Sequence, residues 1–484
     1  MSKKSKSNNK KCIKIMSIVI FILLLLITLG LFGIIISLGI LPFKYLIPLL
    51  IIFVLTYFFI GKVVFNKKIR IWVKILIDII CVVLIAIYLF IYYYLNSTLH
   101  FMDKIKADGY QIENYYVLVD KNSSINTLKD VNVLGVYDNN TENYKKALKS
   151  LKEELNYKKN EYSSYIDLVN ALFDGNVDAI FLSASYKDIV SEMIEKFENN
   201  INIVHTIKVK SKNKIDVSKI NITDEPFNIY ISGIDIYGDI SMVSRSDVNM
   251  IMTINPKIHS ILITSIPRDY YVQLHGTTGS RDKLTHAGLY GINMSIETIE
   301  DLLDEEIDYY VRVNFTTLIS LVDAIGGIDV YSDTAFRAYT NQNCYFNVGT
   351  IHLDGVCALA YSRERMAYID GDRHRVKNQQ DVISAIINKA LSSKTLITKY
   401  TNILESMGNS FETNIPSESI YELINTQLNF MPKWNFDTYS LNGYDSENGT
   451  YTFGDQQLYV MEPDMNTVEE ARNKIDMIIK NNNK

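Results

Sequence analysis

The sequence predicts an α/β protein: three N-terminal transmembrane helices, then a small α/β accessory domain, then a larger mixed-sheet α/β domain. Three observations carry that expectation. Three long apolar runs fall within the first 97 residues, the charge balance changes sharply where they end, and strand-like and helix-like periodicities alternate beyond them. The chain has 484 residues, 48% hydrophobic and 21% charged, which excludes collagen, a long coiled coil and a wholly disordered chain. Four cysteines are too few for a disulfide framework. The net charge of −5 hides a division. Residues 1–97 hold twelve basic residues and one acid, Asp78, whereas residues 98–484 hold 37 basic and 53 acidic residues.

The membrane part comes first. Met16–Ile40 is 25 residues without a charge, Tyr45–Gly61 is a shorter run extendable to Val64 across Lys62, and Ile75–Leu95 is 21 residues with only Asp78. A helix of about 20 apolar residues crosses the hydrocarbon core. Residues 1–15 therefore read as a basic tail and 16–97 as three spans. The first run is too long for the core of a signal peptide, and no small-residue cleavage site follows it. Lys3, Lys4, Lys6, Lys10, Lys11 and Lys14 precede the first span, and only Lys44 lies in the first loop. Lys62, Lys67, Lys68, Arg70 and Lys74 occupy the second. That bias predicts a cytoplasmic N-terminus and an extracellular location for everything after the third span. Tyr92, Tyr93 and Tyr94 then form an outer aromatic anchor. Asp78 lies within a turn of the basic loop, so a carboxylate near the inner headgroups is favoured over an intramembrane function. Cys12 and Cys81 belong to the membrane part. Cys344 and Cys357 lie outside, where a disulfide and two buried thiols are both open, because spacing alone fixes no geometry.

Residues 98–225 read as the accessory domain and its linker. Strands are expected at Tyr115–Val119, Val131–Tyr137, Val177–Leu182 and Ile201–Lys208, and helices at Glu142–Leu155, Tyr165–Phe173 and Tyr186–Phe197. No motif for chemistry stands out, so a spacer or docking module is favoured over a ligand site. Lys210–Asp224 is mostly polar and reads as the linker.

Residues 226–484 read as the mixed α/β domain. Phe227–Ser232, Val248–Ile254 and Ser260–Ile266 are apolar strands; Ile292–Leu303, Thr316–Ile325 and Asp381–Leu391 have helical spacing. Polar residues collect at the ends of these elements. Asp235 and Asp239 follow the first strand, Arg245, Ser246 and Asp247 (SRSD) precede the second, and Arg268 and Asp269 (IPRD) end the third. Later come Arg363 and Arg365 (SRER), then Asp372, Arg373, Arg375 and Gln379 within GDRHRVKNQQ. Arg375 and Gln379, four apart, share one helical face. Arginine's planar fork suits phosphate oxygens, and paired aspartates suit Mg²⁺ or Mn²⁺. Any single Arg–Asp neighbour is more often a surface ion pair. The joint occurrence points to a metal-assisted phosphate or pyrophosphate site. His286 in KLTHAGLYG reads equally as a general base or as a histidine ordering its loop. GxxxxGK[ST], HExxH and CxxC are absent, and the acidic balance of 98–484 disfavours nucleic acid.

GIDIYGDISMVSRSDVNMIMTINP, SIPRDYYV, KLTHAGLYG, VDAIGGIDV, HLDGVCALAYSRER and GDRHRVKNQQDVISAIINKA occur in an order that resembles the LytR-CpsA-Psr (LCP) family, strongly over Phe227–Leu391 and more weakly through LYVMEPDMNTVEEA. The three spans and the extra domain resemble its capsule-type members. The resemblance implies a phosphotransferase that takes a glycopolymer, capsular polysaccharide or teichoic acid, from an undecaprenyl-pyrophosphate carrier and joins it to peptidoglycan by a phosphodiester. It implies Asp235 and Asp247 as Mg²⁺ ligands and Arg245, Arg268, Arg363, Arg365 and Arg375 as pyrophosphate-binding residues. Gln379 is implied beside them, with Asp269 and Asp372 supporting. Arg245, Asp247, Arg268 and Asp372 are implied in catalysis, with Asp247 or Asp372 as a base. Ile251, Ile261, Ile263 and Val311 read as ordinary core ahead of prenyl-pocket lining. A non-catalytic binder of lipid-pyrophosphate and a pyrophosphate hydrolase are the competing functions.

Overall fold

A computed structural model describes residues 3–39, 41–105, 110–137, 141–212, 218, 220–235, 239–392, 403 and 411–481. Residues 213–217 and 219 of the expected linker, and the side chain of Tyr94, lie outside the described residues. Three helices, Lys3–Leu38, Phe43–Phe65 and Ile71–Ile105, open the chain. Cys12–Leu38, Phe43–Phe65 and Ile71–Tyr93 are long and apolar enough to cross a membrane by length and composition. They meet around Leu24, Ile60, Val64 and Cys81. Asp78 is 5% exposed and accepts a hydrogen bond from Ser17 Oγ of the first helix at 2.7 Å, so its polarity is met by a neighbouring helix.

The accessory sheet has five strands in the order Lys158–Tyr162, Val133–Tyr137, Ala179–Ser183, Tyr110–Asp120 and Ile201–Lys212. The first three run parallel, and Tyr110–Asp120 pairs antiparallel with both its neighbours. Thr141, Ser164 and Ser183 cap the helices Glu142–Glu154, Tyr165–Phe173 and Ala184–Met193 by accepting backbone N–H bonds. Lys158–Tyr162 (KKNEY) was not expected as a strand; it is a polar edge with no apolar alternation. One face of the sheet buries Tyr115, Leu134 and Phe181. The other shares a cluster with the larger domain, where Tyr165 and Tyr186 lie 5.5 and 5.8 Å, centroid to centroid, from Phe453.

The main sheet orders its six strands Phe411–Thr413, Tyr309–Asn314, Phe227–Ile234, Ser246–Asn255, Ser260–Ile266 and Asn435–Ser440. Its central strands read as continuous apolar runs because both faces are covered. Ile292–Leu303 and Met465–Lys480 cover one face, packing Ile299, Val468 and Ile475 on Tyr230, Ile251 and Leu262. Asp372–Leu391 and Ser417–Phe430 cover the other, with Ile383, Ile387 and Leu423 against Ile229, Ile231 and Ile263. Phe315–Ile325 and Gly355–Arg363 share a further core with a small hairpin around Phe336 and Phe346. Cys344 and Cys357 form a disulfide that ties this hairpin region to helix Gly355–Arg363, which settles the choice that spacing left open. The helix expected to start at Asp381 starts at Asp372. Its first two turns carry polar side chains, Arg375 and Gln379 toward the cavity and Asn378 toward Tyr361 and Tyr368, so no apolar stripe marks them. Ile251, Ile261 and Ile263 are core residues, each 3% exposed or less.

Candidate active site

Strand direction explains why distant motifs meet. Phe227–Ile234 and Ser246–Asn255 are antiparallel, so the end of one and the start of the other share a sheet edge. Ser260–Ile266 returns to that edge, and Tyr309–Asn314 runs parallel to the first strand and ends there too. Asp235, Asp247, Arg268 and Asn314 are thereby brought together. Gly233 permits this close pairing: a Cβ there would stand 2.7 Å from Val248 Cβ. Gly288 does the same for the SRSD backbone, since its Cβ would meet Ser244 O at 2.6 Å and Ser246 N at 2.9 Å. The opposite wall comes from helices Gly355–Arg363 and Asp372–Leu391, which bring Arg363, Arg375 and Gln379, with Arg365 on the turn between them.

The result is a cavity of about 420 Å³, within the usual size range for small-molecule sites. Seven of the ten expected residues line it: Asp235, Asp247, Arg268, Arg363, Arg365, Arg375 and Gln379. Its apolar wall is Ile231, Val248, Val313, Leu318 and Ile383. Ile251, Ile261, Ile263 and Val311 are not among the lining residues.

The other three expected residues are not among the lining residues. Asp269 pairs with Arg268 Nε at 3.3 Å and Lys283 Nζ at 3.0 Å. Asp372 bridges Arg375 Nη2 at 2.9 Å and Arg365 Nη1 at 3.6 Å, so it orients arginines rather than facing the cavity. Arg245 precedes Ser246–Asn255 and acts electrostatically on both Asp235 and Asp247. Asp239 accepts from Ser241 N–H and Oγ and serves its own turn.

Within the cavity, Arg268 Nη1 lies 3.2 Å from Asp247 Oδ1, and Arg363 Nη2 lies 3.7 Å from Asp235 Oδ2. Thr285 Oγ1 donates to Asp247 Oδ1 at 3.1 Å. Burial pushes the Asp247 carboxyl up, but Arg268, Arg245 and Arg375 together hold it below the usual aspartate value. Burial raises Asp235; Arg363 offsets part of that and the nearby Asp247 charge adds to it. Arg375 Nε is buried with no hydrogen-bond partner among the described residues. A charged donor left over in an arginine-lined cavity fits an anionic ligand.

Two carboxylates, Asp235 and Asp247, are among the lining residues. Among the described residues no group of three or more His, Cys, Asp or Glu could hold a metal ion. A two-carboxylate donor set fits Mg²⁺, which completes its shell with water and substrate phosphates instead of an all-protein cage.

Some organising residues carried no prior signal. Glu364, 1% exposed, accepts N–H bonds from Arg365, Met366 and Ala367 on one oxygen and from Tyr339 on the other, so the middle of SRER builds the turn that separates its two arginines. Phe315 lies under the Arg363 guanidinium at 4.3 Å. His286 has a partner: its Nδ1 lies 2.6 Å from Asp282 Oδ1, and Asp282 also accepts from Thr452. His286 is buried away from the cavity lining and orders its loop.

A model of the LytR-CpsA-Psr family matches residues 191–472. A second, described as a DNA polymerase processivity factor, matches residues 67–182; it takes in the third apolar helix and stops within Ala179–Ser183, short of the last accessory strand. The polyisoprenyl-teichoic acid–peptidoglycan teichoic acid transferase TagU of Bacillus cereus is 35% identical over 226 residues, 46% of this chain and 72% of that protein. TagU of Halalkalibacterium halodurans is 35% identical over 247 residues, 50% of this chain and 76% of its own length. The crystal structure of B. subtilis TagV has a TM-score of 0.45 at 33% identity, covering 53% of this chain and 98% of that one. The family model spans more than half of the chain, over the domain that holds the cavity, and the TagU proteins match above 30% across more than two thirds of their length: the chain belongs to the LytR-CpsA-Psr family.

Proposed function

We propose that this protein is a membrane-anchored phosphotransferase. In this reading it takes a glycopolymer from an undecaprenyl-pyrophosphate carrier and attaches it to peptidoglycan by a phosphodiester bond. The observation that carries the reading is the convergence of four arginines and two aspartates on one cavity, with an apolar wall beside them. The names of the TagU relatives support the same class of reaction.

Asp235 and Asp247 would hold Mg²⁺, or Mn²⁺ in its place, which when bound supplies positive charge to the pyrophosphate. Arg268, Arg363, Arg365 and Arg375 grip the pyrophosphate oxygens, with Arg245 and Gln379 completing the set. Ile231, Val248, Val313, Leu318 and Ile383 receive the start of the prenyl chain. The acceptor hydroxyl, a muramic acid 6-OH, bonds to the phosphorus that bears the sugar and passes its proton to Asp247 or to the departing phosphate. The bond from that phosphorus to the bridging oxygen breaks, and polyprenyl phosphate leaves. Charge accumulates on the bridging oxygen, where fixed guanidinium groups stabilise it without reorganisation. Of the two carboxylates considered as base, Asp247 lines the cavity and Asp372 does not. The lowered pKa of Asp247 limits its strength as a base, so positioning and charge carry most of the reaction.

The reading also places the N-terminus in the cytoplasm and both folded domains outside. The loop charges support it. The turn after the first span touches the large domain: Asn425 Nδ2 donates to Gly39 O, and Lys44 Nζ donates to Asn429 O. These bonds fit a three-span chain, in which the first loop and the large domain share one side, and the loop charges then say which side that is.

The test is the full chain in nanodiscs with a synthetic lipid-pyrophosphate sugar, a peptidoglycan oligomer and Mg²⁺. Sugar phosphate joined to the oligomer is the expected product. Free sugar phosphate alone would identify a hydrolase, and tight binding without turnover a regulator.

A further inference from the structure

The loop that carries Arg245 is built partly by the accessory domain. Tyr110–Asp120 pairs along one edge with Ile201–Lys212 over its whole length. On its other edge Ala179–Ser183 covers only Tyr115–Leu118. The uncovered stretch is filled from the large domain: Ile112 N–H donates to Ser241 O at 2.9 Å, Val243 N–H donates to Ile112 O at 3.0 Å, and Ile112 and Met242 form a parallel bridge. Residues 241–243 therefore add a short strand to the accessory sheet, which covers an otherwise open edge.

Two side chains complete the clamp. Ser185, 6% exposed at the start of helix Ala184–Met193, donates its Oγ hydrogen to Val243 O at 2.8 Å. From the large domain, buried Arg312 donates Nη1 to Ile240 O and Nη2 to Met242 O, both at 3.0 Å. Every carbonyl from Ile240 to Val243 thus accepts a bond from outside the loop. Arg245 follows two residues later. Its charge acts on Asp188 of the accessory helix as well as on Asp235 and Asp247, so it stands between the accessory domain and the cavity.

We propose that the accessory domain is a positioning element for Arg245, with Ser185 as the residue that fixes the Val243 carbonyl. The domain sets where that guanidinium stands and hence how firmly the site holds a prenyl pyrophosphate. This rests on the pyrophosphate reading of the cavity. A carbonyl anchored two residues upstream leaves Arg245 little backbone freedom. Without the anchor the arginine samples positions from which it cannot reach the ligand.

The experiment uses the full chain in nanodiscs. Hydrogen exchange of the 240–245 segment and affinity for farnesyl pyrophosphate are measured in wild type, Ser185→Ala, Arg245→Ala and the double variant. Ser185→Ala is expected to speed exchange of 241–243 by about tenfold, leaving Ser260–Ile266 unchanged. It is expected to weaken farnesyl pyrophosphate about fivefold alone and to add nothing in the Arg245→Ala background. Asp188→Asn, which leaves the strand bonds intact, should weaken binding without altering exchange. Unchanged exchange at 241–243 in Ser185→Ala, or equal loss of affinity with and without Arg245, overturns the positioning role. A wild-type chain with no affinity for farnesyl pyrophosphate overturns the reading of the cavity itself, and the exchange result tells the two failures apart.

Discussion

Two shielded carboxylates, one in each folded domain, are treated in opposite ways. Glu113 lies on the accessory strand Tyr110–Asp120, where Asn143 Nδ2 donates to it at 3.3 Å. Burial pushes its carboxyl up, and the neutral neighbours Tyr115 and Asn143 do not cancel the effect. Asp247 is shielded too, with its side chain 12% exposed, yet Arg268, Arg245 and Arg375 hold it below the ordinary value. Neutral partners soften the cost of burying a carboxylate; guanidinium groups reverse it. The accessory domain therefore keeps a carboxylate at a penalty. The large domain builds a positive field strong enough to keep one ionised and still leaves Arg375 Nε without a hydrogen-bond partner among the described residues. That surplus suits the cavity to an anion within an acidic chain.

The strongest way to break the contrast is to remove the field. Arg268→Ala is expected to cut transfer by about a thousandfold or more and to leave Asp247 with a raised pKa. Asp247→Ala should cost a similar factor from the other side. Circular dichroism and thermal melts should show both variants folded, and wild-type turnover in either would sink the site assignment. Arg375→Ala removes the donor with spare capacity, so affinity for a prenyl pyrophosphate should fall about 10- to 100-fold, as loss of a charge-assisted bond does. Arg375→Lys should recover only part of it, because an ammonium cannot reproduce the fork. The reaction should stop in EDTA and resume with Mg²⁺. Asp235→Asn should then need about tenfold more Mg²⁺ for half-maximal rate, since one of two carboxylates is gone; an unshifted requirement would remove Asp235 from the metal site.

The same contrast explains what was legible beforehand. Ser260–Ile266 and Ile292–Leu303 were readable to the residue because one is a fully buried strand and the other has a clean apolar stripe. The arginine motifs were readable because guanidinium groups gathered at the ends of buried strands repel one another unless an anion faces them. Lys158–Tyr162 was invisible, since a polar edge strand carries no alternation. Helix Asp372–Leu391 begins nine residues before its apolar stripe, because Arg375 and Gln379 line the cavity and Asn378 bonds Tyr361 and Tyr368. Glu364 was hidden because its role is a turn, built from three backbone N–H groups. The added strand at 241–243 depends on a pairing about 130 residues away in sequence, with Ile112. No local pattern encodes such a contact.

Glu113 offers the smallest test, with the clearest sign. Its folded pKa lies above the ordinary glutamate value of 4.5, so between those two values the folded chain binds more protons than the unfolded chain. Stability therefore falls as pH rises through that window, and the full penalty persists above it. Glu113→Gln keeps the shape and an oxygen for Asn143 Nδ2 while removing the charge. The variant should melt roughly 1–2 °C higher than wild type at pH 8 and about equally at pH 4, where the wild-type side chain is protonated. Transfer activity should stay near wild type, because Glu113 is not among the residues lining the cavity and Ile112 holds the 241–243 strand through backbone bonds that the substitution leaves in place. A variant less stable than wild type at pH 8 would mean that the carboxylate is held in its charged form by partners stronger than Asn143. The two domains would then treat their buried acids alike.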